Sequence, residues 1–228
     1  MKPSMGRGIK FYHAKKYEQA LKEFKSLGDD SNVNIELMYY IGLCLTQLGD
    51  YDEALLYLEQ VVQSQFSFLH TFQSRMVLGF IYSVTGRYKL AEYEFKTLID
   101  SGFESSQIYA ALGYVYYSQG NVDKSIECLE KALEMEPENT NALNSLGFIL
   151  AEEGIDLKRA IKLCREAVKK KPSSAAYQDS LGWAFFKNGM LSEARKHLRK
   201  ALDLAPGTKE IVLHMKKILE ADKKGKIS

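Results

Sequence analysis

The side chains best suited to metal binding or nucleophilic chemistry are four histidines (His13, His70, His197, His214) and three cysteines (Cys44, Cys128, Cys164), and their spacing argues against both activities. No histidine has a cysteine or carboxylate at the short separations that metal ligands keep, so neither a metal site nor a cofactor is expected. The cysteines are odd in number, widely spaced and set at helix positions that face packing partners. They read as small buried apolar residues in a reducing compartment. Neighbouring acids such as Glu152 and Glu153 diverge around a helix and read as solvated surface rather than an acid–base pair. No glycine-rich loop ending in Lys-Ser or Lys-Thr follows a strand, so there is no phosphate-binding loop. The residue inventory points away from an enzyme.

The elements that carry these residues are set by another pattern. Gly8, Gly42, Gly79, Gly113, Gly147 and Gly182 recur at intervals of 34, 37, 34, 34 and 35 residues. A second small residue follows each by twelve positions (Ala20, Ala54, Ala91, Ser125, Ala194), or by thirteen at Ala160. Two small residues per repeat mark a close approach of two helices, with large apolar residues at helical spacing between them. Gly49, Gly86, Gly120, Gly154 and Gly189 are suited to ending one helix and turning into the next. Each unit therefore reads helix, turn, helix.

This pattern resembles the tetratricopeptide repeat over roughly residues 1 to 207. The segment 106–139 fits best, with Tyr109, Leu112, Gly113 and Tyr116 on the first helix, Ser125, Leu129 and Ala132 on the second, and Pro137 as terminator. Leu146, Gly147, Ala167 and Pro172, then Leu181, Gly182, Phe185, Ala194, Leu198, Ala201 and Pro206, repeat the theme. The stretch Asp179-Ser180-Leu181-Gly182-Trp183 is similar to a variant common in bacterial members. The resemblance implies an all-α, right-handed superhelical solenoid of antiparallel helical hairpins. Its repeats fall at about 1–34, 35–71, 72–105, 106–139, 140–174 and 175–207, followed by a capping helix at 208–221 and a basic tail at 222–228. With only four prolines and no linker-like stretch, residues 1–228 read as one domain.

Departures from the family pattern gather near the start. Ser4 and Arg7 stand where bulky apolar residues are usual, and Lys15 stands where the turn glycine would be, so the first helix is expected to fray or to need a partner. Arg75 and Gln178 replace other large apolar residues. Three extra residues between Gly42 and Gly79 are expected to lengthen the Ser64–His70 connection. Ile211, Met215, Ile218 and Leu219 give the last helix an apolar side that should cover the open end of the array.

The resemblance also says where a partner would bind. In this family the first helices line a concave groove, and with each glycine taken as eighth in its repeat the rows can be read directly. The ninth position holds Ile9, Leu43, Phe80, Tyr114, Phe148 and Trp183, which is apolar or aromatic throughout. The twelfth holds Tyr12, Thr46, Ser83, Tyr117, Ala151 and Phe186; the fifth holds Met5, Tyr39, Met76, Ala110, Asn144 and Asp179. Either these rows form an exposed interaction stripe, or superhelical coiling buries them between neighbouring helices. On the first reading the groove residues are Tyr12, Tyr39, Leu43, Met76, Phe80, Tyr114, Tyr117, Asn144, Phe148, Trp183 and Phe186. Trp183 and Tyr114 are then the anchors for an apolar-faced helix or an extended segment with bulky side chains. The Lys and Asn clamp with which some members hold acidic chaperone tails is missing, because those positions carry Met5, Ile9, Tyr40, Leu43, Gln73 and Val77.

Charge is distributed unevenly. Residues 1–34 carry seven cations against four acids, 35–139 six against fifteen, and 140–228 eighteen against ten. The basic end concentrates on second helices, where helix termini and outer faces favour Lys and Arg in any case. Nucleic-acid binding there is the least favoured reading, since no aromatic residues are interleaved for base stacking. Head-to-tail contact between basic and acidic regions makes a homo-oligomeric scaffold the alternative to a groove-binding adaptor. No long apolar run or secretory pattern is present, so membrane insertion is not expected and a cytoplasmic location is.

Overall fold

Each glycine of the repeat rhythm sits where two helices touch. In the computed structural model, which describes residues 3–28, 35–64 and 67–225 and side chains as far as 222, a Cβ built on Gly42 or Gly113 would lie 2.7 Å from Leu58 or Leu129. At Gly147 it would meet the Cys164 sulfur at 2.6 Å and backbone atoms of Ala160 and Cys164 at 3.0 and 3.1 Å. The paired small residues Ala20, Ala54, Ala91, Ser125, Ala160 and Ala194 have no exposed surface. Ser125 adds a hydrogen bond, its hydroxyl donating to the Gly113 carbonyl at 2.7 Å.

The helices pair accordingly, and the contacts divide the chain into two compact units, 1–104 and 105–228. The first unit holds α1 (Met5–His13) with α2 (Tyr17–Lys25), α3 (Ile35–Leu48) with α4 (Tyr51–Ser64), and α5 (Phe68–Val84) with α6 (Tyr88–Asp100). The second holds α7 (Ser106–Ser118) with α8 (Val122–Met135), α9 (Thr140–Glu152) with α10 (Leu157–Lys170), α11 (Ala175–Lys187) with α12 (Leu191–Leu204), and the final α13 (Lys209–Gly225). Within each unit first helices of successive pairs lie beside one another, and each second helix packs on the next first helix. All elements among the described residues are helical. The last three residues of the expected basic tail, and residues 29–34 and 65–66, lie outside the described residues.

Local chemistry fixes the boundaries. Ser4, Ser67, Ser105, Asn121, Asn139, Asp156 and Ser174 each accept a backbone N–H in the first turn of the helix that follows. At the joint between α8 and α9, Asn139 also donates to the buried Ser106 hydroxyl, which in turn donates to the Ala132 carbonyl. The turn glycines take positive φ, between 67° and 86° at Gly49, Gly86, Gly120, Gly154 and Gly189. Lys15 keeps the same turn in the first hairpin with φ 58°, a conformation that costs a residue with a Cβ.

Three expectations are corrected. The first helix is not left loose: Arg7 donates to both Glu23 carboxylate oxygens at 2.7 and 2.6 Å, and the Ser4 N–H donates to Glu23 at 2.7 Å. An ion pair thus joins α1 to α2 in place of an apolar contact. The same substitution recurs where Arg75 meets Glu94 at 2.6 Å and where Gln178 meets His197 at 2.8 Å. The three extra residues lengthen a helix rather than a connection, because α5 runs 17 residues from Phe68 against 14 for α3. Its added turn exposes Phe68 and Leu69 and sets Phe68 and Phe72 against Phe103, with ring centroids 4.9 and 4.7 Å apart. The capping helix also continues to Gly225, past its expected end.

Three substitutions test these assignments. Gly147→Ala is expected to lower stability by about 2–3 kcal/mol, because its Cβ meets backbone that cannot move aside. Gly8→Ala, whose three nearest atoms all belong to the Phe24 ring rather than to backbone, is expected to cost less. Lys15→Gly should raise stability by about 0.5–1 kcal/mol through relief of the left-handed backbone. Urea denaturation midpoints measure all three.

Candidate partner-binding groove

Within each unit the first helices set the predicted residues side by side, but neighbouring helices cover much of them. In the first unit Tyr39 is buried, its hydroxyl donating to Gln73 at 2.7 Å and its ring set edge-on to His70 at 4.7 Å. Burial pushes the Tyr39 phenol up to about 12. Leu43 is likewise buried, and half-buried Tyr12 packs edge-on against Tyr17 and Tyr40 at 5.6 and 5.8 Å. Met76 is half-buried. Phe80 stands 47% exposed, with the Tyr51 ring edge-on at 6.4 Å.

In the second unit Tyr114 is also 47% exposed. On the same helix Tyr117, and on α9 Asn144 and Phe148, are half-buried. Tyr117 donates to Glu153 at 3.3 Å, and desolvation pushes its phenol up to about 12. Its ring lies 6.5 Å from Phe148, which lies 6.4 Å from His214 of α13. The Asn144 side-chain oxygen is buried and has no hydrogen-bond donor.

Trp183 requires a correction. It was expected to be an open anchor, yet it is only 2% exposed, because α13 lies over it. His214 stacks on the indole at 4.1 Å and 20°, Phe186 approaches at 5.1 Å, and Lys217 sits 4.9 Å from the ring centroid. The indole N–H donates to the Glu152 carboxylate, which Lys187 approaches at 3.6 Å. His214 is held by Asp179 at 2.9 Å. At this end of the row the packing alternative prevails, and half-buried Phe186 belongs to the same cluster. Sequence reasoning missed His214 and Lys217; the 35-residue step from Asp179 to His214, which places α13 as the next first helix, was the available signal.

Among the described residues the histidines and cysteines are spread over separate helices. His197 faces Gln178 and the Phe185 ring, and its imidazole is held below its ordinary pKa by burial and then by Lys196, Lys200 and Arg165. Burial pushes the Cys44 and Cys164 thiols up to about 12, which suits inert packing. Among the described residues no group of three or more His, Cys, Asp or Glu is placed to hold a metal ion. What the surface offers is aromatic faces, an unpaired amide oxygen and flanking carboxylates.

Family comparison agrees with the geometry. A model described as TPR repeat matches residues 113–154, and models described as tetratricopeptide repeat match 36–65 and 175–208. The chain belongs to the tetratricopeptide-repeat family. A human (Homo sapiens) protein O-mannosyl-transferase is 25% identical over 193 residues, 83% of this chain and 21% of that protein. A peroxisomal targeting signal receptor of Candida glabrata is 30% identical over 97 residues, 42% of this chain and 16% of that protein. The chain thus spans about a fifth or less of these relatives' lengths. A tetratricopeptide repeat protein of Parabacteroides merdae shares the fold with a TM-score of 0.72 at 16% identity, covering 93% of this chain and 81% of that one.

Burial separates the two proposed anchors in a measurable way. Trp183→Ala is expected to cost about 3–5 kcal/mol of stability, as for other buried large aromatics. Tyr114→Ala should change it by less than about 1 kcal/mol. Chemical denaturation of the two variants checks the order.

Proposed function

We propose that this chain is a non-enzymatic protein–protein interaction module that binds a peptide or helical segment along the first-helix face of α7 and α9. The observation that carries the reading is Tyr114, a large aromatic ring left 47% exposed in a row where Leu43 and Trp183 are buried. Half-buried Tyr117 and Phe148 lie on the same two helices with ring centroids 6.5 Å apart, and the unpaired Asn144 oxygen supplies an acceptor for a backbone N–H of an extended guest. Amphipathic aromatic rings give large contact area at small entropic cost and are frequent anchors. Phe80 and Met76 offer a similar surface on α5 in the first unit. The similarity to a targeting signal receptor is in keeping with recognition of a peptide segment. Trp183 is assigned to the packing of α13 and not to the contact surface. Self-assembly is the second reading, favoured by Val212, Leu213 and Leu219, which are exposed on α13. No helix among the described residues is long and apolar enough to cross a membrane. The buried, high-pKa thiols of Cys44 and Cys164 fit a reducing compartment such as the cytoplasm.

Selection from a displayed library of random peptides tests the groove. Enriched peptides should carry bulky apolar or aromatic residues, and Tyr114→Ala should weaken the best of them by about tenfold with unchanged helical content. Equal binding by wild type and Tyr114→Ala would remove this surface from consideration.

A further inference from the structure

A basic cavity lies away from the first-helix rows, between α12 and the C-terminal part of α13. A cavity of about 450 Å³ is lined there by Leu191, Ser192, Arg195, Lys196, Arg199 and Asp222. Three of these six side chains are cations and one is an acid, and the acid is already engaged, Asp222 forming an ion pair with Arg195 at 2.8 Å. Lys196 and Arg199 are exposed and have no acidic partner among the described residues. The Arg195 Nε–H is buried without an acceptor. The positive potential continues onto α10, since Arg165 together with Lys196 and Lys200 bears on the His197 imidazole.

We propose that this cavity is a docking site for an acidic peptide segment, whose Asp or Glu carboxylates pair with Arg199 and Lys196. The guanidinium fork of Arg199 matches a carboxylate with two parallel hydrogen bonds, and Lys196 supplies a point charge beside it. A peptide suits the cavity better than a nucleic acid, because the lining has no aromatic ring on which a base could stack. The volume, many times the roughly 30 Å³ share of one water molecule, exceeds the needs of a small inorganic anion.

Fluorescence anisotropy with a labelled oligo-glutamate peptide tests the site on the intact chain. Binding by the wild type is expected to weaken about tenfold in Lys196→Gln/Arg199→Gln, two exposed positions whose change should leave thermal melting intact. Lys158→Gln/Lys162→Gln, which removes the same charge from exposed positions on α10, should retain near-wild-type binding. An equal loss in that second pair would reduce the effect to diffuse electrostatic attraction and overturn the site. Tighter binding of inorganic phosphate or of a single-stranded oligothymidylate than of oligo-glutamate would likewise overturn the peptide assignment. Tyr114→Ala should leave this binding unchanged, which separates it from the groove.

Discussion

The contact between a glycine on each first helix and a side chain on the following second helix governs this structure. At Gly42, Gly113 and Gly182 a leucine from the second helix occupies the space a Cβ would need; at Gly8 and Gly79 a phenylalanine does, and at Gly147 a cysteine. That approach sets the separation within each hairpin and buries the small residue twelve or thirteen positions on. It also fixes which side of the first helix is left to face the next repeat. Because interiors are close-packed, one methyl group at this point must displace the side chain or backbone that faces it. The turn follows from the same constraint, which is why Lys15 adopts a left-handed conformation to preserve it.

With the hairpin fixed by that contact, other positions tolerate polar chemistry. Arg7 with Glu23, Arg75 with Glu94 and Gln178 with His197 replace apolar pairs without opening the helices. Each exchange pairs one polar group with another, so no charge is left alone in a partly buried site. The burial of Glu94 still raises its pKa despite Arg75, which shows that desolvation outweighs the pair at that position.

The first-helix rows illustrate how packing selects a surface from a uniform pattern. Leu43, Tyr114 and Trp183 occupy equivalent places, but Leu43 and Trp183 are covered and Tyr114 is open. The covering of Trp183 comes from His214, held in place by Asp179, and from Lys217. A helix that was expected only to cap the last hairpin therefore also occupies one end of the row. Its other flank, with α12, forms the basic cavity, so the last helix shapes both surfaces of the second unit.

Helix, turn and hairpin order was legible in the sequence because close approach and positive φ each demand glycine, or nearly so, at fixed separations. The residues of the groove rows were legible for the same reason, since helical periodicity assigns a face. Exposure along those rows was not, because it depends on which neighbouring helix lies over each residue. Nothing in the spacing of Trp183 distinguishes it from Tyr114; only the placement of His214 against it does. The three residues added before Gly79 likewise entered α5 rather than a loop, because Ser67 caps a turn whose Phe68 and Phe72 find Phe103. Sequence determined the repeating hairpin, because its constraints are local and steric. Tertiary structure alone decided which equivalent side chains became core and which remained free for a partner, because burial is settled between repeats and not within one.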